Sequence, residues 1–221
     1  MLEKGKRYLQ IAFNDNVRDV NRILPQIPFN ERIIIEAGTP FIKREGQEGI
    51  YYIVSRWPGI VVADIKTMDG ALEEVQEVAS AGAKGATVLG AASKETIELF
   101  IKTCKQYGLI SMIDMLNVVD PLKVLMQLRQ PPDVVILHLG RDEETVRGKV
   151  IQYRHIRRIK SKFDVLISAA GGVDLREAQS AVFNGADIVV VNVVEPDDPW
   201  KGIKSTEEVR KIAVEFLKAV E

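Results

Sequence analysis

Short runs of apolar residues alternate along this chain with longer segments in which apolar positions recur every three or four residues. The short runs, at 8–13, 32–36, 60–66, 85–89, 109–115, 134–138, 164–168 and 188–193, are nearly continuous in apolar character. That is the pattern of strands buried on both faces. In the longer segments Ala71, Leu72, Val75, Val78 and Ala79 form an apolar stripe with charged residues opposite, as do Val209, Ile212, Ala213, Phe216 and Val220. Both stripes predict helices lying on a sheet. Asp174 followed by Glu177, and Ser205 followed by Glu208, have capping-box spacing and predict helix starts. Gly82 and Gly185 predict helix ends.

The alternation predicts repeated βα units around a parallel sheet. Residues 81–88 resemble residues 184–191, each reading as a helix end, a glycine turn and a buried strand. Eight predicted strands is the number that closes such a sheet, so the expectation is an α/β protein folded as a single (β/α)8 TIM barrel over residues 1–221. An open doubly wound sheet would fit the same alternation but calls for a glycine-rich turn after the first strand. Here the chain reads Phe13-Asn14-Asp15-Asn16, without glycine. Pro121, Pro131 and Pro132 fall between elements, where a missing N–H costs little.

Composition narrows the ligands. With 30 Lys plus Arg against 31 Asp plus Glu, the net charge is -1, which offers no broad basic face to nucleic acid or anionic lipid. Any anion must be held by local groups. The single Cys104 falls in step with Ile97, Phe100 and Ile101, so we expect it buried as a small hydrophobe rather than acting as a nucleophile. One cysteine, no signal-like opening segment and no run of about 18 apolar residues together predict a cytoplasmic protein without a membrane span.

In a parallel barrel the C-terminal strand ends form the rim on which active sites are built. Those ends carry Asn14, Glu36, Asp64, Lys66, Asp114, His138 and the 168–172 turn. So many ionisable groups beside a core call for mutual pairing or a metal. Asp64 and Lys66 are two apart on a strand and should share a face, with Ile65 on the other. Asp69 follows just beyond, on a loop. Glu36 and Asp64 suit a hard divalent cation such as Mg²⁺, which takes one or two carboxylates plus substrate oxygens. His138 is the candidate for proton transfer. His155, among Arg154, Arg157, Arg158 and Lys160, is expected on a solvated helix face. Gly171-Gly172 leads into a predicted helix and is a candidate phosphate turn.

Read together, the stretches LQIAF, IEAGTPFI, ADIKTMDGA, VLGAAS, MIDMLNV, HLGRDEE, AAGGV and NGADIVVV resemble, in order and over nearly the whole chain, the orotidine 5'-phosphate decarboxylase suprafamily. The likeness is to its 3-hexulose-6-phosphate synthase and 3-keto-L-gulonate-6-phosphate decarboxylase branch. It implies a homodimeric barrel acting on a sugar phosphate, with Mg²⁺ on Glu36 and Asp64 stabilising a 1,2-enediolate. It further implies Lys66 beside that oxyanion, Asp69 reaching the partner's site, His138 shuttling protons, and Asn14, Asp114, Gly171, Gly172 and Asn192 contacting substrate. Arg141, three residues after His138, matches the decarboxylases, whereas Thr67-Met68-Asp69-Gly70 and Asp114-Met115-Leu116-Asn117-Val118 resemble the synthases. The synthase reading, formaldehyde plus ribulose 5-phosphate, is the expectation; a decarboxylase of keto-gulonate or orotidine phosphate type, or a divergent barrel with an altered phosphate site and a different or no activity, are the alternatives.

Two departures bear on that choice. Asn14 stands where the family has an aspartate, with Asp15 one position on, and one residue changes the face a strand side chain occupies. After the last strand the family has a Gly-Gly or Gly-Arg pair for the phosphate, whereas this chain has Asn192-Val193-Val194-Glu195. Glu195 would repel a phosphate if it faced the site.

Overall fold

The computed structural model describes residues 2–146, 148–206 and 208–221. Eight parallel strands follow one another around a closed sheet: β1 (Tyr8–Phe13), β2 (Ile33–Ala37), β3 (Val61–Thr67), β4 (Gly85–Leu89), β5 (Ile110–Asp114), β6 (Val134–His138), β7 (Leu166–Ala170) and β8 (Ile188–Val194). Closure is made by β1 against β8, in register from Tyr8↔Ile188 to Ala12↔Asn192. The protein is thus a (β/α)8 barrel, and the open-sheet alternative is excluded.

Each strand is apolar on both sides because the barrel has two cores. Tyr8, Ala12, Ile34, Val62, Ile110, Met112, Val134, Ile136, Leu166, Ile188 and Val190 fill the interior. The alternate residues, such as Leu9, Ile11, Ile33, Ile35, Val135, Ile167, Val189 and Val191, face outward into a larger core beneath the helices. Strand side chains alternate sides, so the polar residues of the inward set rise toward the mouth as the apolar layers end.

The outer ring comprises α1 (Val17–Ile23), α2 (Thr39–Val54), α3 (Ala71–Ser80), α4 (Lys94–Tyr107), α5 (Pro121–Leu125), α6 (Arg141–Glu144), α7 (Arg154–Lys160), α8 (Leu175–Phe183) and α9 (Val209–Ala219). The stripe of α3 is buried at Ala71, Val75 and Val78, whereas Leu72, expected on the same face, is exposed. Cys104 is fully buried on α4, and burial pushes its thiol up to about 12, consistent with packing. Asp174 caps α8, its carboxylate accepting from the Glu177 amide at 2.9 Å. Among the described residues no helix is long and apolar enough to cross a membrane.

Two further local expectations fail. Ser205 does not cap a helix: α9 starts at Val209, and the Ser205 hydroxyl instead donates to Glu195 Oε2 at 3.0 Å. The competing force is a short strand, β9 (Ile203–Lys204), which pairs with Val193–Val194 and draws residue 205 into the sheet's edge. His155 is not solvated; it is buried with Ile156 and Ile159 on the inner face of α7. Arg154, Arg157 and Arg158 take the outer face, and the 155/156/159 spacing decides the matter over the surrounding charge. Burial, aided by Arg154 and Arg158, holds the His155 pKa below the usual histidine value.

Candidate active site at the barrel mouth

At the C-terminal ends of the strands lies a cavity of about 450 Å³, lined among others by Gln10, Asn14, Glu36, Asp64, Lys66, Asp114, His138, Arg141, Gly171 and Asn192. Every site residue expected from the sequence is therefore at this mouth except two. Gly172 lines a smaller neighbouring cavity, and Asp69 is exposed on the loop after β3, outside the mouth of its own chain.

Strand β3 reaches this arrangement through an irregularity. Its pairing with β4 is regular at Ala63↔Ala86 and resumes only at Thr67↔Val88, so residues 64–66 stand opposite Thr87 alone. Lys66 adopts a left-handed backbone (φ 49°), a conformation that costs a non-glycine residue about 1 kcal/mol or more and that recurs at functional sites. Thr87 stabilises the bulge from both sides: its Oγ accepts from the Lys66 amide at 2.9 Å and donates to Asp64 Oδ1 at 2.8 Å. The Thr39 hydroxyl adds a contact to Asp64 Oδ2 at 2.8 Å. Asp64 and Lys66 both face the cavity, while Ile65 packs outward, as strand alternation predicts.

The charges form one connected set. Lys66 Nζ lies 2.5 Å from Asp64 Oδ2 and 3.0 Å from Asp114 Oδ2. Asp114 Oδ2 also meets His138 Nδ1 at 2.8 Å, and its Oδ1 accepts from the Leu116 amide at 2.9 Å. Burial disfavours the Asp114 carboxylate, but His138 and then Lys66 outweigh it and hold its pKa well below the usual range. Burial likewise works against the Lys66 ammonium, yet Asp64 and Asp114 prevail and its pKa stands above the usual lysine value. For His138 the same contest between burial and Asp114 ends with a raised pKa. With Nδ1 held by Asp114, Nε2 is the nitrogen left to exchange protons.

Among the described residues, Glu36 is the carboxylate of the set with no ion pair. Burial, then repulsion from Asp64, push its carboxyl up to about 7. Its Oε2 accepts from Gln10 Nε2, while Gln10 Oε1 is buried without a partner. Gln10, Thr39 and Thr87 were not legible as site residues, since a polar residue inside a strand or at a helix start gives no distinct pattern. Glu36 and Asp64 together offer hard oxygen donors, and the charge on Glu36 is opposed by burial and by Asp64, which fits a divalent cation such as Mg²⁺. A tight acidic triad also occurs among the described residues, at Asp15, Asp19 and Glu195, but it lies outside the cavity and Arg22 already bridges Asp19 and Glu195.

The structure shows where the residues of both departures face. Asn14, not Asp15, faces the mouth, and its Nδ2 donates to Asn192 Oδ1 at 3.0 Å across the β1–β8 seam. Glu195 turns away toward Ser205 and Arg22, so the expected repulsion does not arise. Gly171 has φ +101°, and a Cβ there would stand 2.0 Å from the Leu139 carbonyl oxygen. Gly171→Ala is therefore expected to cost about 2 kcal/mol or more in urea unfolding, whereas Gly172→Ala, at φ +61° with its nearest contact at 3.4 Å, should cost less.

The bifunctional enzyme Fae/Hps of Methanothrix thermoacetophila is 37% identical over 212 residues, covering 95% of this chain and 52% of that protein. Its counterpart from Methanosarcina acetivorans is 38% identical, with 96% and 52% covered. The chain thus spans about half the length of these relatives. Among solved structures, 3-hexulose-6-phosphate synthase from Salmonella typhimurium superposes with a TM-score of 0.81 at 29% identity, covering 96% of this chain and 99% of that one. KGPDC from Streptococcus mutans shares the fold, with a TM-score of 0.75 at 18% identity and 97% of each chain covered. With the model of the orotidine 5'-phosphate decarboxylase / HUMPS family matching residues 7–192, the chain belongs to that family.

Proposed function

We propose that the chain is a Mg²⁺-dependent carbon–carbon lyase of the 3-hexulose-6-phosphate synthase type, joining formaldehyde to ribulose 5-phosphate through a 1,2-enediolate. The observation that carries this reading is the convergence of Glu36, Asp64, Lys66, Asp114 and His138 on one cavity. Glu36 and Asp64 would hold the cation, which supplies positive charge to the substrate's vicinal oxygens. The Lys66 ammonium, kept charged by its two carboxylates, faces the same place and stabilises the negative charge that grows on the C2 oxygen. His138 takes the C1 proton and returns it to the oxygen of formaldehyde after C1 has bonded to the aldehyde carbon. Asp114 is committed to Lys66 and His138, so we assign it a positioning role beside any substrate contact. Asp69, exposed on the loop after β3 and outside the lining of its own mouth, serves the partner's site in a homodimer.

The test is direct. Turnover of ribulose 5-phosphate with formaldehyde should require added Mg²⁺, be abolished by a chelator, and rise with pH. The rise follows from sign: His138 is a base only when neutral, and its raised pKa places that form above the ordinary histidine value near 6.5. No turnover with Mg²⁺ present would sink the reading. A second reading is favoured by Arg141, which lines the cavity three residues after His138: release of CO2 from 3-keto-L-gulonate 6-phosphate would support it.

A further inference from the structure

Below the mouth the barrel interior is not wholly apolar. Gln10 on β1 and Ser168 on β7 belong to the inward set, each between inward apolar neighbours two residues away: Tyr8 and Ala12 on one strand, Leu166 and Ala170 on the other. Both are enclosed, at 1% and 0% exposure. Ser168 pairs with Ile188 and Gln10 with Val190, successive inward residues of the β8 strand that separates them. Barrels of this kind fill their interior in layers of four drawn from alternate strands. Followed around the barrel, the registers put Gln10, Val62, Met112 and Ser168 in one layer and Glu36, Thr87, Ile136 and Val190 in the next one up. In the lower layer two side chains are ordinary apolar fillers and two are polar. Each polar one carries a buried atom with no partner among the described residues, Gln10 Oε1 and Ser168 Oγ. Burying such atoms is unfavourable, and apolar side chains would avoid it, so stability alone gives no reason for either residue.

Their place under Glu36 gives one. Gln10 Nε2 donates to Glu36 Oε2, and among the described residues this is the sole hydrogen bond that the Glu36 carboxylate accepts. A carboxylate can be met only by the NH₂ end of a glutamine, which leaves Oε1 as the end in need of a donor. Ser168, in the same layer across β8, has a hydroxyl whose bonding capacity is unused. We infer that Gln10 is a positioning residue for the cation site, its NH₂ group fixing the Glu36 carboxylate for the metal, with the Ser168 hydroxyl as the donor that steadies its other end. The inference rests on the proposed binding of Mg²⁺ by Glu36 and Asp64, and adds what holds the first of those ligands. Asp64 has its own supports, with Thr39 and Lys66 at one oxygen and Thr87 at the other. Glu36 has Gln10 alone, so the direction of its carboxylate depends on that one amide. Partners of this kind set both the orientation and the basicity of a ligand, and removing one weakens metal binding by about 10–100-fold.

The experiment measures Mg²⁺ binding by calorimetry and the urea midpoint of the metal-free protein, neither of which needs turnover. Gln10→Met, an apolar side chain of similar length, should weaken Mg²⁺ by about 10-fold or more. Its metal-free midpoint should stay close to the parent's, because removal of an unpaired carbonyl offsets the lost hydrogen bond. In kinetics the Mg²⁺ concentration for half-maximal turnover should rise by the same factor, while KM for ribulose 5-phosphate at saturating Mg²⁺ changes little. Ser168→Ala should weaken Mg²⁺ several-fold, and the double variant should bind no more weakly than Gln10→Met, since both act through one amide. Gln26→Met, at an exposed glutamine between α1 and β2, should match the parent. Mg²⁺ affinity unchanged in Gln10→Met would overturn the inference and leave the proposed reaction standing; should that variant not fold, unchanged affinity in Ser168→Ala would overturn it instead. A parent that binds no Mg²⁺ would sink both. Weakened Mg²⁺ binding by Gln10→Met, in a protein that turns over no sugar phosphate, would keep the role of Gln10 and reject the reaction.

Discussion

Lys66→Met should lower kcat/KM by about 10³-fold, the magnitude lost when a preorganised charge at a developing oxyanion is removed. The ammonium lies 2.5 Å from one carboxylate and 3.0 Å from another, so it also holds two buried negative groups in place. Deleting one partner of such a set costs about 3–5 kcal/mol, because Asp64 then lies buried with no ion pair and Asp114 keeps His138 alone as its cation. Stability and activity would thus fall together, and they are separated by a second variant. Lys66→Met combined with Asp114→Asn removes one of the stranded charges and should recover much of the urea midpoint while kcat/KM stays low. Lys66→Arg keeps the charge but brings a planar fork to a position shaped for a point charge, and should remain folded with an activity loss of about 10²-fold. Retention of more than about a tenth of the activity in Lys66→Met would take the ammonium out of the mechanism.

The second large effect has the opposite sign for stability. Glu36→Gln should make the metal-free protein more stable at about pH 8 while abolishing Mg²⁺-dependent turnover. The folded-state value of about 7 lies above the ordinary glutamate value of 4.5, so the native chain keeps a proton that the unfolded chain has released. Stability contributed by Glu36 is therefore fully present below 4.5, declines as pH rises through that window, and is lost above about 7. A shift of that size corresponds to about 3 kcal/mol. Glutamine cannot ionise, so the variant should escape this decline, and the difference between the two proteins should vanish near pH 4. Mg²⁺ should raise the urea midpoint of the parent at pH 8 and leave that of Glu36→Gln unchanged, since binding to the native state alone stabilises it. A variant no more stable than the parent at pH 8 would show that Glu36 is not under electrostatic stress.

Much of this architecture is legible in local pattern. The strands at 8–13, 85–89 and 134–138 are delimited to the residue, and the others within two positions, because a run buried on both faces is apolar throughout and ends where polar residues begin. The Asp174 cap is legible for the same local reason: a side chain and an amide three residues apart need nothing beyond the helix itself. Ser205 has the same spacing and a different fate, since Ile203–Lys204 finds a longer-range partner in Val193–Val194. His155 reads as solvated from its charged neighbours, although its spacing to Ile159 already places it inward.

Site residues are legible as positions and not as partners. Polar side chains at the ends of apolar runs announce a barrel rim from the linear order alone, which is how Glu36, Asp64, Lys66, Asp114 and His138 can be named together. Their couplings come from closure. Only a closed sheet sets Asn14 against Asn192, hands Asp114 to both His138 and Lys66, and leaves Glu36 facing Asp64 with no ion pair among the described residues. The outward turn of Glu195 and the arrival of Lys201 beside Gly172 likewise depend on a loop that folds around Lys204. Periodicity is a property of neighbours in sequence and so fixes elements and faces; Coulomb interaction and burial act between groups tens to hundreds of residues apart, and have no value until the chain has folded.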